Sequence, residues 1–373
     1  MGMKDLVTLY DFEKKSYEMM PSHLSDFVRA GAQDEITLRR NRSALDKIIL
    51  NPRIFRDVSD RDLSTSVLGK KISFPVMMTA AGGQLHMHEE GELASARACN
   101  NFGTVYGTPM NSGYSLEKIA EHTPGRKWLQ IGQHSNRIQE HFIKRAEAAG
   151  YEAIVLTADT PVPSRRETEI RNNFSVQSTL SWGSVQGYEE ELLSDIPLKE
   201  YIYGPSDESK SENQFSAGTG QPVFEGITWE NASWIRDLTD LPIIIKGVRN
   251  VEDARLCAQA GFNGITISNH GGRHLDGTKS AIEVLAEIAP AVEDQIEVYF
   301  DSGIRRGMDV LKAIALGANA VLIGRPIFWG LTVGGEEGLN RILEILRTEV
   351  DLGMAYLGAR NVQEIDNSAI TTE

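Results

Sequence analysis

Four charged residues stand where acid–base chemistry and anion binding would require them. His270 precedes two glycines in the segment SNHGGR, and Arg273 ends that segment. Lys246 ends the apolar run PIIIK, and Asp159 follows the apolar run AIVLTA. A carboxylate beside an imidazole orients the ring and stabilises its cation, and an arginine can bind a substrate carboxylate through two hydrogen bonds. These residue types predict proton transfer on an anionic substrate, although a lone histidine is more often structural than catalytic.

A second group of residues suits a phosphate. The segments DSGIRRG and IGRP each follow an apolar run and supply glycine N–H groups and arginines; the candidates are Asp301, Ser302, Gly303, Arg305, Gly324 and Arg325. Such N–H groups, a helix N-terminus and arginines together bind a phosphate dianion. The alternative is that the glycines only permit tight turns and the arginines are solvated. The presence of both motifs favours phosphate.

A recurring helix–glycine–strand pattern indicates the elements that position these residues. A helix with small residues at its end, a glycine and a short β-branched strand recur around Gly150, Gly261 and Gly317. The strands are continuous apolar runs, as in a parallel sheet buried on both faces. Eight strands are predicted, at 73–81, 103–107, 127–132, 153–157, 242–247, 265–268, 297–303 and 320–323. Helices are predicted at 89–101, 115–122, 137–149, 229–240, 251–260, 281–291, 307–316 and 336–352.

Eight such units predict an α/β fold, a (β/α)8 TIM barrel. The alternative, an open doubly wound sheet, uses the same units, but its GxGxxG fingerprint is absent. In a TIM barrel the active site lies at the C-terminal ends of the strands, and the polar residues cluster at the predicted strand ends. We expect a single domain over 1–373, with a helical leader at 1–72, the barrel at 73–353 and a tail at 354–373.

The stretch 160–226 interrupts the repeats after the fourth strand. It is rich in Ser, Gly, Glu and Asp, as in GPSDESKSENQFSAGTG. A loop of this length is either a functional lid or disordered, and we expect a mobile lid.

The overall composition excludes several classes of protein. The 373 residues include 38 Lys+Arg and 52 Asp+Glu, a net charge of −14, which argues against binding to nucleic acid or an anionic membrane. No apolar run reaches the length of a membrane span. Cys99 and Cys257 are the only cysteines, too few for a disulfide framework or a four-cysteine metal site. We therefore expect a cytoplasmic protein without a metal site.

Several segments together resemble one family. ISNHGGRHLDG, DSGIRRGMDVLKAIALGANAVLIGRP and IIIKGVRNVEDA are similar to segments of the FMN-dependent α-hydroxy-acid oxidase/dehydrogenase family, which includes glycolate oxidase, lactate oxidase, lactate monooxygenase and mandelate dehydrogenase. AGAQDEITLRRNRSAL, LNPRIFRDVSDRDLSTSVLG, LTADTP and SRRETEIRNNF also match, in order, so the resemblance covers nearly the whole chain.

The resemblance implies FMN as the cofactor and oxidation of an L-configured 2-hydroxy acid to the 2-oxo acid. It implies His270 as the base, Asp159 as its partner, and Arg273 and Arg166 as ligands of the substrate carboxylate. Lys246 would stabilise negative charge on the reduced flavin. The residues it implies around the flavin ring are Thr79, Ala80, Ala81, Gly82, Gln130, Thr157, Lys246 and Ser268. The candidate phosphate-binding residues named above would hold the phosphate at the other end of the cofactor. It also implies a homo-oligomer, commonly a tetramer, and an electron acceptor that is either O2 or a carrier.

Two departures from the family pattern bear on the substrate. Phe27 and Gly132 stand where the family usually has tyrosines near the substrate. Both changes remove a hydroxyl, and the second also leaves space, so we expect a substrate larger than glycolate. Gly82 falls where oxidases of the family tend to carry alanine, which weakly favours a dehydrogenase or monooxygenase. The alternatives are an FMN enzyme that acts on a modified peptide or natural-product intermediate, an isomerase, and a non-catalytic flavin-binding protein.

Overall fold

Short strands run through the whole chain. The computed structural model describes residues 2–132, 134–162, 164–172, 182–192, 194 and 228–372. The strands within these residues are β1 (Ile48–Leu50), β2 (Thr65–Val67), β3 (Lys70–Ile72), β4 (Val76–Met78), β5 (Tyr106–Pro109), β6 (Lys127–Ile131), β7 (Ala153–Thr157), β8 (Ile243–Val248), β9 (Gly264–Ile267), β10 (Glu297–Phe300), β11 (Ala320–Ile323) and β12 (Ile370–Thr372).

The strands β4 to β11 close into a parallel barrel. Each pairs with the next in chain order, and β11 pairs with β4, which completes the ring. The predicted (β/α)8 fold is confirmed, and the open-sheet alternative is wrong. Because all eight strands run in the same direction, their C-terminal ends meet at one mouth, where the predicted site residues follow them.

The helices lie around this barrel and in the segments that flank it. They are α1 (Leu9–Met19), α2 (Ser22–Arg29), α3 (Ile36–Lys47), α4 (Gly91–Asn101), α5 (Leu116–His122), α6 (Asn136–Ala148), α7 (Glu167–Arg171), α8 (Glu189–Leu192), α9 (Trp229–Leu238), α10 (Val251–Gln259), α11 (Ala281–Ile288), α12 (Gly307–Ala315) and α13 (Arg325–Leu357). The leader therefore contains three helices and the short strands β1 to β3, and β1 pairs with β12 of the tail.

Some predicted boundaries are wrong for identifiable reasons. The second barrel strand begins at Tyr106, because Gly103 adopts a left-handed φ of 57° just after α4. The seventh ends at Phe300, because Ser302 and Gly303 turn the chain with φ values of 84° and 101°. The last helix was predicted at 336–352, but helical backbone already begins at Arg325.

A break divides α13 into two segments. Gly334 and Gly335 are not helical, and Gly335 has a left-handed φ of 57°. The break brings Gly338 against Gly330, where a Cβ on Gly338 would lie 2.1 Å from the Gly330 carbonyl oxygen. Only glycine permits this approach.

The lower end of the barrel is filled and capped. Trp128 and Tyr299 pack inside it with ring centroids 5.5 Å apart. The β2–β3 hairpin covers this end, where the Leu68 N–H donates to Glu297 Oε2 at 2.9 Å. The interior is thus a packed core, and the upper mouth is left for polar groups.

Among the described residues, no helix is both long and apolar enough to cross a membrane. The predicted lid over 160–226 lies for the most part outside the described residues.

Candidate functional site

Three predicted residues form a buried polar cluster at the barrel mouth. Lys246 is only 4% exposed and lies near the end of β8. Its Nζ donates to Ser268 Oγ at 3.0 Å and lies 3.2 Å from Asp301 Oδ2. Burial opposes the lysine charge, but Asp301 and Asp159 outweigh it and raise the pKa of Lys246. The site therefore holds a buried, charged lysine that is paired with Asp301.

His270 and Asp159 are hydrogen-bonded across the same mouth. His270 Nδ1 lies 3.2 Å from Asp159 Oδ1. Burial alone would raise the pKa of Asp159, yet His270 and Lys246 hold it well below its usual value. Burial lowers the pKa of His270, and Asp159 partly offsets this. A neutral imidazole that donates from Nδ1 to an ionised Asp159 leaves Nε2 free of its proton and able to accept one.

The backbone around His270 is held in an unusual conformation. His270, Gly271 and Gly272 all have left-handed φ values, of 55°, 65° and 75°. The His270 N–H donates to Ser268 Oγ at 3.0 Å, and the Gly271 N–H donates to Ser302 Oγ at 3.1 Å. A Cβ on Gly272 would lie 2.7 Å from the backbone of Leu38 in α3. Gly272 is therefore required by the approach of the leader, whereas a Cβ on Gly271 would lie 2.7 Å from Arg325 Nη1.

Arg273 is directed toward the leader. Its Nη1 donates to the carbonyl oxygens of Phe27 at 2.7 Å and Ala30 at 3.0 Å. Its guanidinium carbon also lies 5.0 Å from the centre of the Phe27 ring. Phe27 is buried, and its ring meets Phe328 edge-on at 6.0 Å. Burial, together with the positive charge of Arg166, lowers the pKa of Arg273 well below its usual value.

A residue that the sequence analysis missed joins the two predicted carboxylate ligands. Glu169 of α7 accepts from Arg166 Nη2 at 2.9 Å and from Arg273 Nη2 at 3.3 Å. The spacing of three residues between Arg166 and Glu169 fits one helical turn and is the available sequence signal. The contact with Arg273 joins positions 104 apart in sequence and has no such signal.

His274 is a second residue that the sequence analysis missed. Its ring lies 4.3 Å from that of His270, edge to face. Burial and the neighbouring His270 lower the pKa of His274 well below its usual value. A neutral second imidazole therefore lies against the first, and its place one residue after Arg273 in SNHGGRH is the sequence signal.

The candidate phosphate residues lie at the ends of β10 and β11. Arg305 and Arg325 are both largely buried, and Arg305 lies over the ring of Trp329, 4.5 Å from its centre. Burial and Arg305 lower the pKa of Arg325 to about 10. Arg325 donates to the carbonyl oxygens of Val28, Gly271 and Ala30.

The backbone N–H groups at the start of α12 already have hydrogen-bond acceptors within the chain. The N–H groups of Arg305 and Arg306 donate to Asp309 Oδ2, each at 2.9 Å, and that of Gly307 donates to Glu349 Oε2 at 2.6 Å. The helix N-terminus is therefore occupied within the chain, and the arginines stay the candidate ligands of an anion, although Arg305 Nη1 also donates to the Ile304 carbonyl oxygen at 2.8 Å.

The ends of β4 and β6 supply further predicted residues. Within the described chain, Thr79 Oγ1 is buried without a hydrogen-bond partner. A Cβ on Gly82 would lie 2.5 Å from the Asn111 amide, so this position tolerates no larger residue unless Asn111 moves. Among the described residues, a Cβ on Gly132 would come within 4 Å of His134 alone, at 3.8 Å, chain neighbours aside. The described residues therefore do not crowd this position.

Four further predicted residues line the mouth. Ala80 and Ala81 follow Thr79 and are partly buried, as is Gln130 near the end of β6. Thr157 ends β7, is 4% exposed and pairs in register with Lys246. The residues predicted to surround a flavin ring thus lie along neighbouring strand ends. No cluster of three or more metal-ligating side chains occurs in the part of the chain that the structure describes.

Comparison with known proteins places this site in a family. The family model described as FMN-dependent dehydrogenase matches residues 16–372. Human 2-hydroxyacid oxidase 1 is 40% identical over 367 residues, which cover 98% of this chain and 96% of the relative. Spinach (Spinacia oleracea) glycolate oxidase is 36% identical over 373 residues, which cover 99% of this chain and 96% of the relative.

A solved structure agrees in fold and in sequence. The crystal structure of mandelate oxidase with (S)-2-phenylpropionate matches with a TM-score of 0.85 and 36% identity, over 98% of each chain. The chain therefore belongs to the FMN-dependent dehydrogenase family, and it is an FMN-dependent oxidoreductase that acts on the CH–OH group of its donor.

Proposed function

We propose that the protein oxidises an L-configured 2-hydroxy acid larger than glycolate to the 2-oxo acid. The observation that carries this proposal is the His270–Asp159 pair, 3.2 Å apart at the barrel mouth and within one polar cluster with Lys246. The relatives named as 2-hydroxyacid, glycolate and mandelate oxidases support the same substrate class.

The donor set fits FMN. Thr79 Oγ1 is buried and unpartnered within the described residues, which suits contact with a polar ligand. Lys246 brings a buried positive charge, and Arg305 and Arg325 suit an anionic phosphate. The residues that would hold the ring are Thr79, Ala80, Ala81, Gly82, Gln130, Thr157, Lys246 and Ser268. Those that would hold the phosphate end are Asp301, Ser302, Gly303, Arg305, Gly324 and Arg325. When bound, FMN accepts the two electrons removed from the substrate.

His270 is the proposed base. Its lowered pKa keeps the imidazole neutral near pH 7, and its Nδ1–H donates to Asp159. Nε2 then takes a proton from the substrate, and the ionised Asp159 stabilises the resulting cation. Lys246 supplies positive charge where the reaction builds negative charge. Arg273 and Arg166 bind the substrate carboxylate.

The local space supports a larger substrate. Phe27 brings a ring without a hydroxyl, and among the described residues the side chain nearest to a Cβ on Gly132 is that of His134, at 3.8 Å. The same features favour the second candidate, an FMN enzyme that acts on a modified peptide or natural-product intermediate, or an isomerase.

Anaerobic mixing separates these functions. FMN-loaded protein is mixed with glycolate, L-lactate and (S)-mandelate, and flavin absorbance is followed. We expect the larger acids to bleach the flavin, and His270→Ala to abolish bleaching while FMN remains bound. His122→Ala is the matched control, because His122 is exposed on α5. Bleaching by light but by no 2-hydroxy acid would favour the second candidate. Reoxidation in air then distinguishes O2 from a carrier as the acceptor.

We also infer a homo-oligomer, with four copies as the family resemblance suggests. Ile54, Phe55 and Tyr356 are 77%, 100% and 74% exposed, and apolar side chains this exposed support a contact between copies. Light scattering should give a mass above that of one chain, and Phe55→Asp should lower it.

A further inference from the structure

A carboxylate of the chain itself holds both proposed ligands of the substrate carboxylate. Arg166 presents its Nε and Nη2 to the two oxygens of Glu169, the two-bond geometry in which arginine binds a free carboxylate. Arg273 adds a third contact through Nη2, at 3.3 Å. Glu169 is 8% exposed, so this carboxylate is shielded from solvent.

Few N–H donors of Arg166 and Arg273 remain for a second carboxylate. Arg166 Nη1 donates to Ser164 Oγ at 2.6 Å, and Arg273 Nη1 donates to the carbonyl oxygens of Phe27 and Ala30. The Nε–Nη2 edge of Arg166 is taken by Glu169. A substrate carboxylate can gain that edge only if the Glu169 side chain turns away.

The backbone beneath Glu169 is held independently of this cluster. The Gln33 N–H donates to the Arg165 carbonyl oxygen at 3.2 Å. Asn172 Nδ2 donates to Asp26 Oδ2 at 2.6 Å. These contacts tie both ends of α7 to the leader, so rotation of one side chain is enough to release the arginines.

We infer that Glu169 competes with the substrate carboxylate for Arg166 and Arg273 and thereby sets the affinity for 2-hydroxy and 2-oxo acids. This inference rests on the proposed function. Two guanidinium groups and one carboxylate leave a single net positive charge to attract the substrate. Removing the Glu169 charge frees both arginines for the ligand.

The test measures binding rather than turnover. Benzoylformate is titrated into oxidised, FMN-loaded protein, and the change in the flavin spectrum gives Kd. A 2-oxo acid carries no hydroxyl to oxidise, so the flavin stays oxidised. We expect Glu169→Gln to bind benzoylformate about tenfold more tightly, or about 1.4 kcal/mol. The neutral amide of benzoylformate should bind both proteins equally, because it brings no charge to the arginines.

Glu167→Gln is the matched control. Glu167 lies on the same helix but pairs with the exposed Arg171, at 2.7 Å. It should leave Kd unchanged within twofold. Unchanged or weaker binding in Glu169→Gln would overturn the inference and assign Glu169 the structural task of holding the arginines in place.

A second variant covers the case in which Glu169→Gln does not fold. Glu169→Asp keeps the charge but is one methylene shorter, so it should loosen the two-bond contact and tighten benzoylformate binding by a smaller factor. Wild-type affinity in that variant would overturn the inference. If neither the wild type nor any variant binds benzoylformate, the carboxylate site itself is wrong. If binding behaves as expected but no 2-hydroxy acid bleaches the flavin, only the proposed reaction fails.

Discussion

Lys246 Nζ lies 3.2 Å from Asp301 Oδ2, and this contact joins the ends of β8 and β10. Both side chains are less than 10% exposed, so each charge depends on the other for compensation. The pair thus contributes to the stability of the barrel mouth as well as to its electrostatics.

Removing one member of this pair should therefore destabilise the fold. We expect Lys246→Met to lower the free energy of unfolding by about 3–5 kcal/mol, because Asp301 is left charged and buried. Lys246→Met with Asp301→Asn should recover most of this loss. Urea unfolding of the three proteins measures the difference. Equal stability of the single and double variants would contradict the coupling.

Asp159→Asn should slow reduction and move its pH dependence. Neutral His270 is the proposed base, so we expect a rate that is high above the pKa of His270 and falls as pH drops through it. Asp159 raises that pKa against the effect of burial. Removal of the Asp159 carboxylate should move this decrease in rate to lower pH. The maximal rate should drop about 100-fold or more, because the imidazole cation loses its partner. Stopped-flow reduction between pH 4 and 9 gives both quantities, and an unmoved profile would remove Asp159 from this role.

Gly82→Ala tests the crowding beside Asn111. The new Cβ would lie 2.5 Å from the Asn111 amide, so either the side chain or the strand end must shift. We expect a loss of about 1–3 kcal/mol in the free energy of unfolding. Adding Asn111→Ala should restore stability. Full stability of the single variant would show that Asn111 moves at little cost.

The burial of Glu92 predicts a loss of folding stability as pH rises. Glu92 is fully buried, and burial raises its pKa to about 7. The folded state therefore favours the protonated acid. The stability that this preference adds is fully present below the pKa of Glu92 in the unfolded state, and it is lost as pH rises through 7. Glu92→Gln mimics the neutral acid, so it should stabilise the protein by about 3 kcal/mol at pH 9 and leave it unchanged at pH 4.

Thermal unfolding at both pH values checks this prediction. Glu230→Gln is the control, because Glu230 is exposed on α9. Equal shifts in the melting temperature of Glu92→Gln at both pH values would contradict a buried, titrating Glu92.

The sequence predicts the barrel well because its signals are local. A glycine after a helix and a β-branched run recur around Gly150, Gly261 and Gly317. The strands Ala153–Thr157 and Ala320–Ile323 agree with the predicted strands residue for residue. The last helix was predicted at 336–352, just after the break at Gly334 and Gly335, so the helical segment from Arg325 was missed. Packing between Gly330 and Gly338 across that break depends on tertiary contact and leaves no local pattern.

The positions of several candidate site residues at the barrel mouth could also be predicted, whereas their roles stay a prediction. Polar residues after apolar runs identify Asp159, Lys246 and His270. The pairing of Glu169 with Arg273, by contrast, depends on how α7 lies against the β9 loop. No spacing in the chain encodes that contact, so sequence reasoning assigned both arginines to the substrate without their internal partner.

The left-handed backbone of His270 costs folding stability at the position of the proposed base. A non-glycine residue with a φ of 55° costs about 1–2 kcal/mol compared with glycine. Glycine at this position would relieve that strain and remove the proposed base. A library randomised at position 270 and selected only for thermal stability should therefore enrich glycine or asparagine. Histidine persists there only under selection for turnover.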